Sequence, residues 1–202
     1  MSQNKITELV SLYEQKKIEK YDYIDQMHGF NKTLTLIAER MPQTDIAKIE
    51  IQDGGLLFTT KKDQIRMLFS GKDRRGVPFD MLNFGSYEKE DATMLFNLIE
   101  EDACIFDIGA NLGWYALLFS KRLPLSTIHS FEPIKQTYHY LITNTQLNNS
   151  KNIITHNLAL SDKKGTFEYY YFPEGSVLAS EKNLIKCDKS KKIKCEVETL
   201  ER

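Results

Sequence analysis

The chain holds 202 residues, 41% of them hydrophobic and 27% charged, with five prolines, a balance that suits an ordinary globular protein and excludes a disordered or fibrous one. Its 27 basic and 28 acidic side chains leave a net charge of -1, so no charge excess points to a nucleic acid or an anionic membrane. Cys104, Cys187 and Cys195 are odd in number and lack metal spacing, no signal-peptide pattern opens the sequence, and no apolar run approaches ~18 residues; a reduced, cytoplasmic protein is expected.

Ile6, Leu9, Val10 and Tyr13 recur at helical spacing and predict a helix from Lys5 to about Lys20. A second helix is expected from Tyr21 to Met41, with Ile24, Met27, Phe30, Leu34 and Ile37 as its stripe, Gly29 as a potential kink and Pro42 just past its end. The runs "KIEIQ", "GLLFTT" and "QIRMLFS" around "DGG" read as a small antiparallel meander. A loop rich in Lys, Arg, Gly and Pro then leads to a helix over Glu88 to Glu100.

From Cys104 the pattern changes. "ACIFDIG", "TIHSFEP" and "NIITHNLAL" are short apolar strands, separated by the helical stretches "LGWYALLFSKRL" and "IKQTYHYLITNTQL". Such alternation predicts a Rossmann-like α/β fold, a parallel sheet with crossover helices, preceded by the N-terminal helices and the β-meander. "GTFEYYYF" and "KIKCEVETL" then look like strands of a hairpin or extension, and the basic run "KCDKSKKIK" reads as a solvated loop. The expected division is 1–83 for the helices and meander and 84–202 for the α/β domain.

The stretch "FDIGANLGWYALLFSK", Phe106 to Lys121, places a glycine turn where open α/β sheets bind ligands. A dinucleotide fingerprint would need glycines where Asn111 and Trp114 stand, and no G-x-x-x-x-G-K-[ST] loop is present. What the turn offers is an acid at the strand end, Asp107, followed by Gly109, Asn111 and Gly113. A carboxylate there opposes a pyrophosphate and favours a ligand carrying ammonium and sulfonium groups, which describes S-adenosylmethionine. Glu132 closes the next strand ahead of Pro133, about 20 residues past the glycines, in the place of an acid that accepts ribose hydroxyls. His129 and His156 lie within strands and read as satisfied core residues; Trp114 and Tyr115, on the first turn of a helix, read as packing ahead of the alternative that they line a substrate or cofactor face.

These residues resemble the class I, Rossmann-like methyltransferases, and within them the FkbM family. "FDIGANLGWYALLFSK" is similar to that family's first motif, "FEP" to its second, "NLALSDKKGTF" to its third region and "GSYEKED" to the segment before motif one. The resemblance covers roughly Phe84 to Leu200. It implies that Asp107, Gly109, Asn111 and Gly113 shape the pocket for the methionine end of the cofactor, that Glu132 holds the ribose, that Asn157 and Ala159 border the adenine, and that Tyr87 and Glu88 close over it. It further implies transfer of a methyl group to a hydroxyl of a small molecule or saccharide, with the general base not identifiable.

The family's next motif, a strand carrying K-I-D-x-E-G, does not appear before Arg202, and Cys104 onward holds about three β-α units at ~30 residues each. The expectation is therefore an incomplete class I methyltransferase fold, either a piece of a longer enzyme or a naturally short member, with the first strand's edge exposed unless the meander, the tail or another chain covers it. The competing expectation is a non-catalytic Rossmann-like module for binding or assembly. Expected partners are a small-molecule or saccharide substrate, without nucleic acid, membrane or metal; self-association stays open.

Overall fold

In the computed structural model, residues 5–53, 55–176, 179–180 and 190–200 are described. They fall into two compact units, Met1–Gln43 and Thr44–Arg202; the boundary expected at 83/84 lies inside the second. No helix among the described residues is long and apolar enough to cross a membrane.

The first unit pairs helix α1, Lys5–Glu14, with helix α2, Lys20–Arg40, and ends in a 3-10 turn at Met41–Gln43. Helix α1 stops before the expected Lys20 because Lys16 turns left-handed, φ 55°, and the Lys17 N–H reaches back to the Leu12 carbonyl at 2.9 Å, the bond that closes a helix C-terminus. Tyr13 and Tyr23 stack at 4.4 Å across the pair. Helix α2 runs through Gly29 without interruption.

The second unit opens with the meander β1, Ile46–Gln52, β2, Gly55–Thr60, and β3, Arg66–Phe69, antiparallel in that order. Where a Pro- and Gly-containing loop was expected, Val77–Phe84 forms a helix, α3, with Gly76 as its N-cap and Pro78 in its first turn. Proline is well suited there, since its fixed φ is helical and its missing N–H would have no partner; the burial of Val77, Pro78 and Met81 holds this short helix in place. Helix α4, Lys89–Leu98, follows as expected.

The parallel sheet consists of β4, Cys104–Ile108, β5, Thr127–Phe131, and β6, Ile153–His156, in the order β4-β5-β6. The crossovers are α5, Trp114–Arg122, and α6, Lys135–Leu147. Ala116, Leu117, Ile128 and Leu141 are wholly buried and form the core between this sheet and its helices. "NIITHNLAL" is two strands rather than one: after β6 the chain bends and Ala159–Leu160, β7, joins a second sheet in the order β7-β9-β8, with β8 at Gly165–Tyr171 and β9 at Lys191–Glu198. β9 is the strand expected from "KIKCEVETL", begun one residue earlier at Lys191, and residues 186–189 of the basic run, with Cys187, lie outside the described residues. Cys104 and Cys195 are free thiols.

The opposite face of the parallel sheet is uncovered among the described residues, with Phe106, Ile108 and Ile154 each about half exposed. Phe106, His129, Phe131 and His156 stack across it at 4.5 to 5.9 Å. His129 and His156 are therefore not satisfied core residues of the expected kind; on this open face their Nδ1 and Nε2 atoms bond each other at 3.1 Å. Burial and the neighbouring His129 hold His156 below its usual imidazole value.

Two asparagines tie the meander to the sheet. Asn144 of α6 and Asn148, which caps its C-terminus, stand one turn apart and accept the N–H groups of Leu68 and Arg66 at 2.7 and 2.9 Å. Four helical residues rise about 6 Å and two strand residues about 6.7 Å, so the helix matches the repeat of the free β3 edge and caps it. Asn144, fully buried, also donates to the Leu112 carbonyl at 3.0 Å. Asn144→Ala leaves these backbone groups unpaired and is expected to cost about 2–4 kcal/mol, measured as a fall in the urea midpoint at unchanged slope.

Candidate functional site

Asp107, Gly109, Asn111, Glu132 and Asn157 meet at the carboxyl ends of β4, β5 and β6. The turn after β4 places Gly109, Asn111 and Gly113 at positive φ of 82, 50 and 91°. Its N–H groups are consumed internally: Gly109 and Ala110 donate to the Phe131 carbonyl at 2.9 Å, Asn111 to Glu132 Oε2 at 3.0 Å, Leu112 to Asn111 Oδ1 at 2.8 Å and Gly113 to the Ala110 carbonyl at 2.7 Å. A phosphate-binding loop needs such groups free to point at the ligand, and this turn has none to offer.

The two glycines differ in what they make room for. A Cβ on Gly113 would stand 2.7 Å from Leu141 Cδ1, whereas one on Gly109 would meet nothing within 4 Å. Gly113 is needed for the close packing of α5 against α6, and Gly109 borders open space above the turn.

Asp107 turns under the N-terminus of α5, where the Ala116 N–H bonds it, and burial lifts its carboxyl to about 6. Its Oδ2 is buried without a hydrogen-bond partner. A buried carboxylate oxygen in this condition is costly, and it calls for a donor that the described residues do not supply.

Glu132 is 5% exposed. Its Oε1 accepts the Ile134 N–H at 2.9 Å and its Oε2 the Asn111 N–H, so one remaining lone pair on each oxygen is available to a ligand. Burial lifts it to about 7; the two backbone bonds oppose that rise and the charge of Asp107 adds to it. Asn157 donates to the Glu132 and Pro133 carbonyls at 2.8 and 3.2 Å and fixes the β5–α6 connection. Ala159, by contrast, is buried in β7, paired with Val197 of β9.

Tyr87 and Glu88 gather at the start of α5 instead. Tyr115 donates to Glu88 Oε2 at 2.7 Å, Tyr87 meets Trp114 edge-on at 6.4 Å, and Glu88 itself is left-handed at φ 40°. Burial and the Glu88 carboxylate raise both phenols far above their ordinary value. Tyr115 and Trp114, expected to pack ahead of lining a ligand face, are thus joined to the segment before motif one.

Residues that sequence reasoning missed brace the turn from a distance. Ser176 Oγ donates to Asp73 Oδ2, the Ser176 N–H bonds the same oxygen at 2.9 Å, and Asn111 Nδ2 donates to Ser176 Oγ at 2.9 Å. Asp73 and Ser176 are buried, 103 positions apart, and belong to no local motif, so only an alignment of contacts could have found them. Ser176→Ala keeps the Asp73 carboxylate bonded by backbone N–H groups but releases Asn111; the expected result is a ligand affinity reduced about 3- to 10-fold with the thermal midpoint lowered by only a few degrees, read by calorimetry and by thermal unfolding.

An acid under the first crossover helix, a left-handed turn with its amides filled and a second acid at the tip of the neighbouring parallel strand make this carboxyl edge of the sheet suited to a cationic rather than a phosphate group. No protein-family model matches the chain. It is 28% identical over 74 residues to Methyltransferase 1 of Beauveria bassiana (strain ARSEF 2860), covering 37% of this chain and 30% of that protein. It is 28% identical over 123 residues to methyltransferase sdnD of Sordaria araneosa, covering 53% and 48%. The chain spans less than half the length of these curated relatives. Among solved structures, M. jannaschii TYW2 in complex with AdoMet is 15% identical, with 63% of each chain covered and a TM-score of 0.32.

Proposed function

We propose that the chain belongs to an S-adenosylmethionine-dependent methyltransferase of the FkbM type that methylates a hydroxyl of a small molecule or saccharide. The observation that carries this reading is the buried, unpartnered Oδ2 of Asp107 beside the open side of Gly109. The two curated methyltransferases similar to the chain support the same class.

Bound here, the cofactor supplies a sulfonium-activated methyl group. Asp107 Oδ2 accepts from its ammonium, Gly109 admits its methionine end, and Asn111 and Gly113 set the turn that shapes the pocket. Glu132 offers its spare lone pairs to the ribose hydroxyls. Asn157, beside Glu132, would border the adenine, a place the buried Ala159 of β7 does not share, while Tyr87 and Glu88, held by Tyr115 and Trp114, close the start of α5. No described residue is assigned as the base.

Titration calorimetry of the chain with S-adenosylmethionine tests the site, with saturable binding expected. Absence of heat up to millimolar ligand would overturn the cofactor reading and leave the non-catalytic scaffold. The acceptor class is tested separately, by product analysis with labelled methyl donor and a panel of hydroxyl compounds.

A further inference from the structure

A cleft of about 240 Å³ opens between the β2–β3 loop, α4 and α5; of the residues assigned to the cofactor it shares Tyr87, while neither Asp107, Gly109, Asn111 nor Glu132 lines it. Its walls carry Lys62, Lys89 and Arg122, and the rings of Tyr87 and Trp114 stand beside the apolar Leu118. The volume is below the ~300–1,000 Å³ of drug-sized sites, so its ligand is small.

Three features specify that ligand. First, the indole nitrogen of Trp114 is buried without a hydrogen-bond partner, and an indole N–H can only donate, so the missing group is an acceptor. Second, the charge favours an anion. Arg122 is held by Asp63 through two nitrogens, at 2.6 and 3.1 Å. Lys62 and Lys89 make no side-chain ion pair among the described residues, against Asp45 as the one further acid in the lining. Third, Tyr87 and Trp114 meet at 88° and form a corner of two rings, a surface suited to a flat ligand. The Tyr87 phenol, raised by burial and by Glu88, stays neutral and does not repel an anion.

We propose that this cleft binds a small aromatic carboxylate, its ring in the Tyr87–Trp114 corner over Leu118, its carboxylate toward Lys62 and Lys89, and an oxygen accepting the Trp114 N–H. The assignment does not depend on the methyltransferase reading.

Trp114 is the only tryptophan of the chain, so its fluorescence reports this cleft directly. The full chain is titrated with benzoate, with benzyl alcohol as the neutral counterpart and inorganic phosphate as the anion without a ring. Benzoate is expected to change the emission saturably. Lys62→Gln and Lys89→Gln, both at exposed positions, should each raise the midpoint up to about fivefold, and Asp107→Asn should leave it unchanged. The proposal is overturned by an emission that does not respond to benzoate, by benzyl alcohol or phosphate acting as well as benzoate, or by lysine variants that titrate like the parent. Because the readout uses no methyl donor, it stands or falls separately from cofactor binding at Asp107.

Discussion

Asp107→Asn is expected to lower S-adenosylmethionine affinity by about 10- to 100-fold while leaving the thermal midpoint unchanged or higher. The two effects separate because Asp107 has two oxygens with different duties. Asparagine can keep the acceptor that takes the Ala116 N–H, so α5 retains its start. It cannot keep a negative charge on the orphaned second oxygen, and a hydrogen bond to a charged partner is worth about 1.5–3 kcal/mol. Removing a buried, poorly compensated charge meanwhile relieves the folded state. Calorimetry and thermal unfolding of the same preparation check both; an unchanged affinity would place the ligand elsewhere.

The pH dependence of the two quantities has opposite sign. Burial raises Asp107 from 3.8 to about 6 and Glu132 from 4.5 to about 7, so between those values the folded state binds protons more tightly than the unfolded one. Stability of the ligand-free protein is therefore expected to fall as pH rises from about 4 to about 7, and to be regained on acidification. Cofactor affinity should instead increase as pH rises through about 6, where Asp107 becomes the carboxylate that holds an ammonium. Asp107→Asn should abolish that rise in affinity.

Gly113→Ala is expected to destabilise the second unit by about 2–5 kcal/mol. A left-handed alanine costs about 1–2 kcal/mol, and forcing its methyl against Leu141 Cδ1 adds about 1–3 kcal/mol of overpacking. The thermal midpoint should drop by roughly 5–15 °C. Gly109→Ala bears the same backbone cost without a clash, so its midpoint should fall much less while its new methyl intrudes on the open side of the turn and weakens cofactor binding. Equal destabilisation by the two variants would refute this division of roles.

The strand, turn and helix around Asp107 were legible because each follows from neighbours in the chain: an apolar run, an acid, glycines and a 3.6-residue pattern. The same local rules misread α3, whose Pro78 signals a loop by composition but fits a first helical turn once Val77 and Met81 find a core. They also left Lys191 in the basic loop, whereas its pairing with Tyr171 of β8 starts β9 there, one residue ahead of the expected "KIKCEVETL" strand. His129 and His156 could be placed on strands but not on a face, because burial depends on what packs above the sheet.

By itself the sequence determined most helices and strands, α3 and the break between β6 and β7 apart, together with the parallel α/β class and the placing of Asp107, Gly109, Asn111 and Glu132 at one sheet edge, since periodicity and turn chemistry act within a few residues. Only the tertiary structure decided that the turn's amides are filled, that Asp107 keeps one oxygen unpartnered, that Asp73 and Ser176 brace Asn111 and that Trp114 lines a second cleft. Those features arise from hydrogen bonds and packing between segments up to 103 positions apart, whose partners no local pattern specifies.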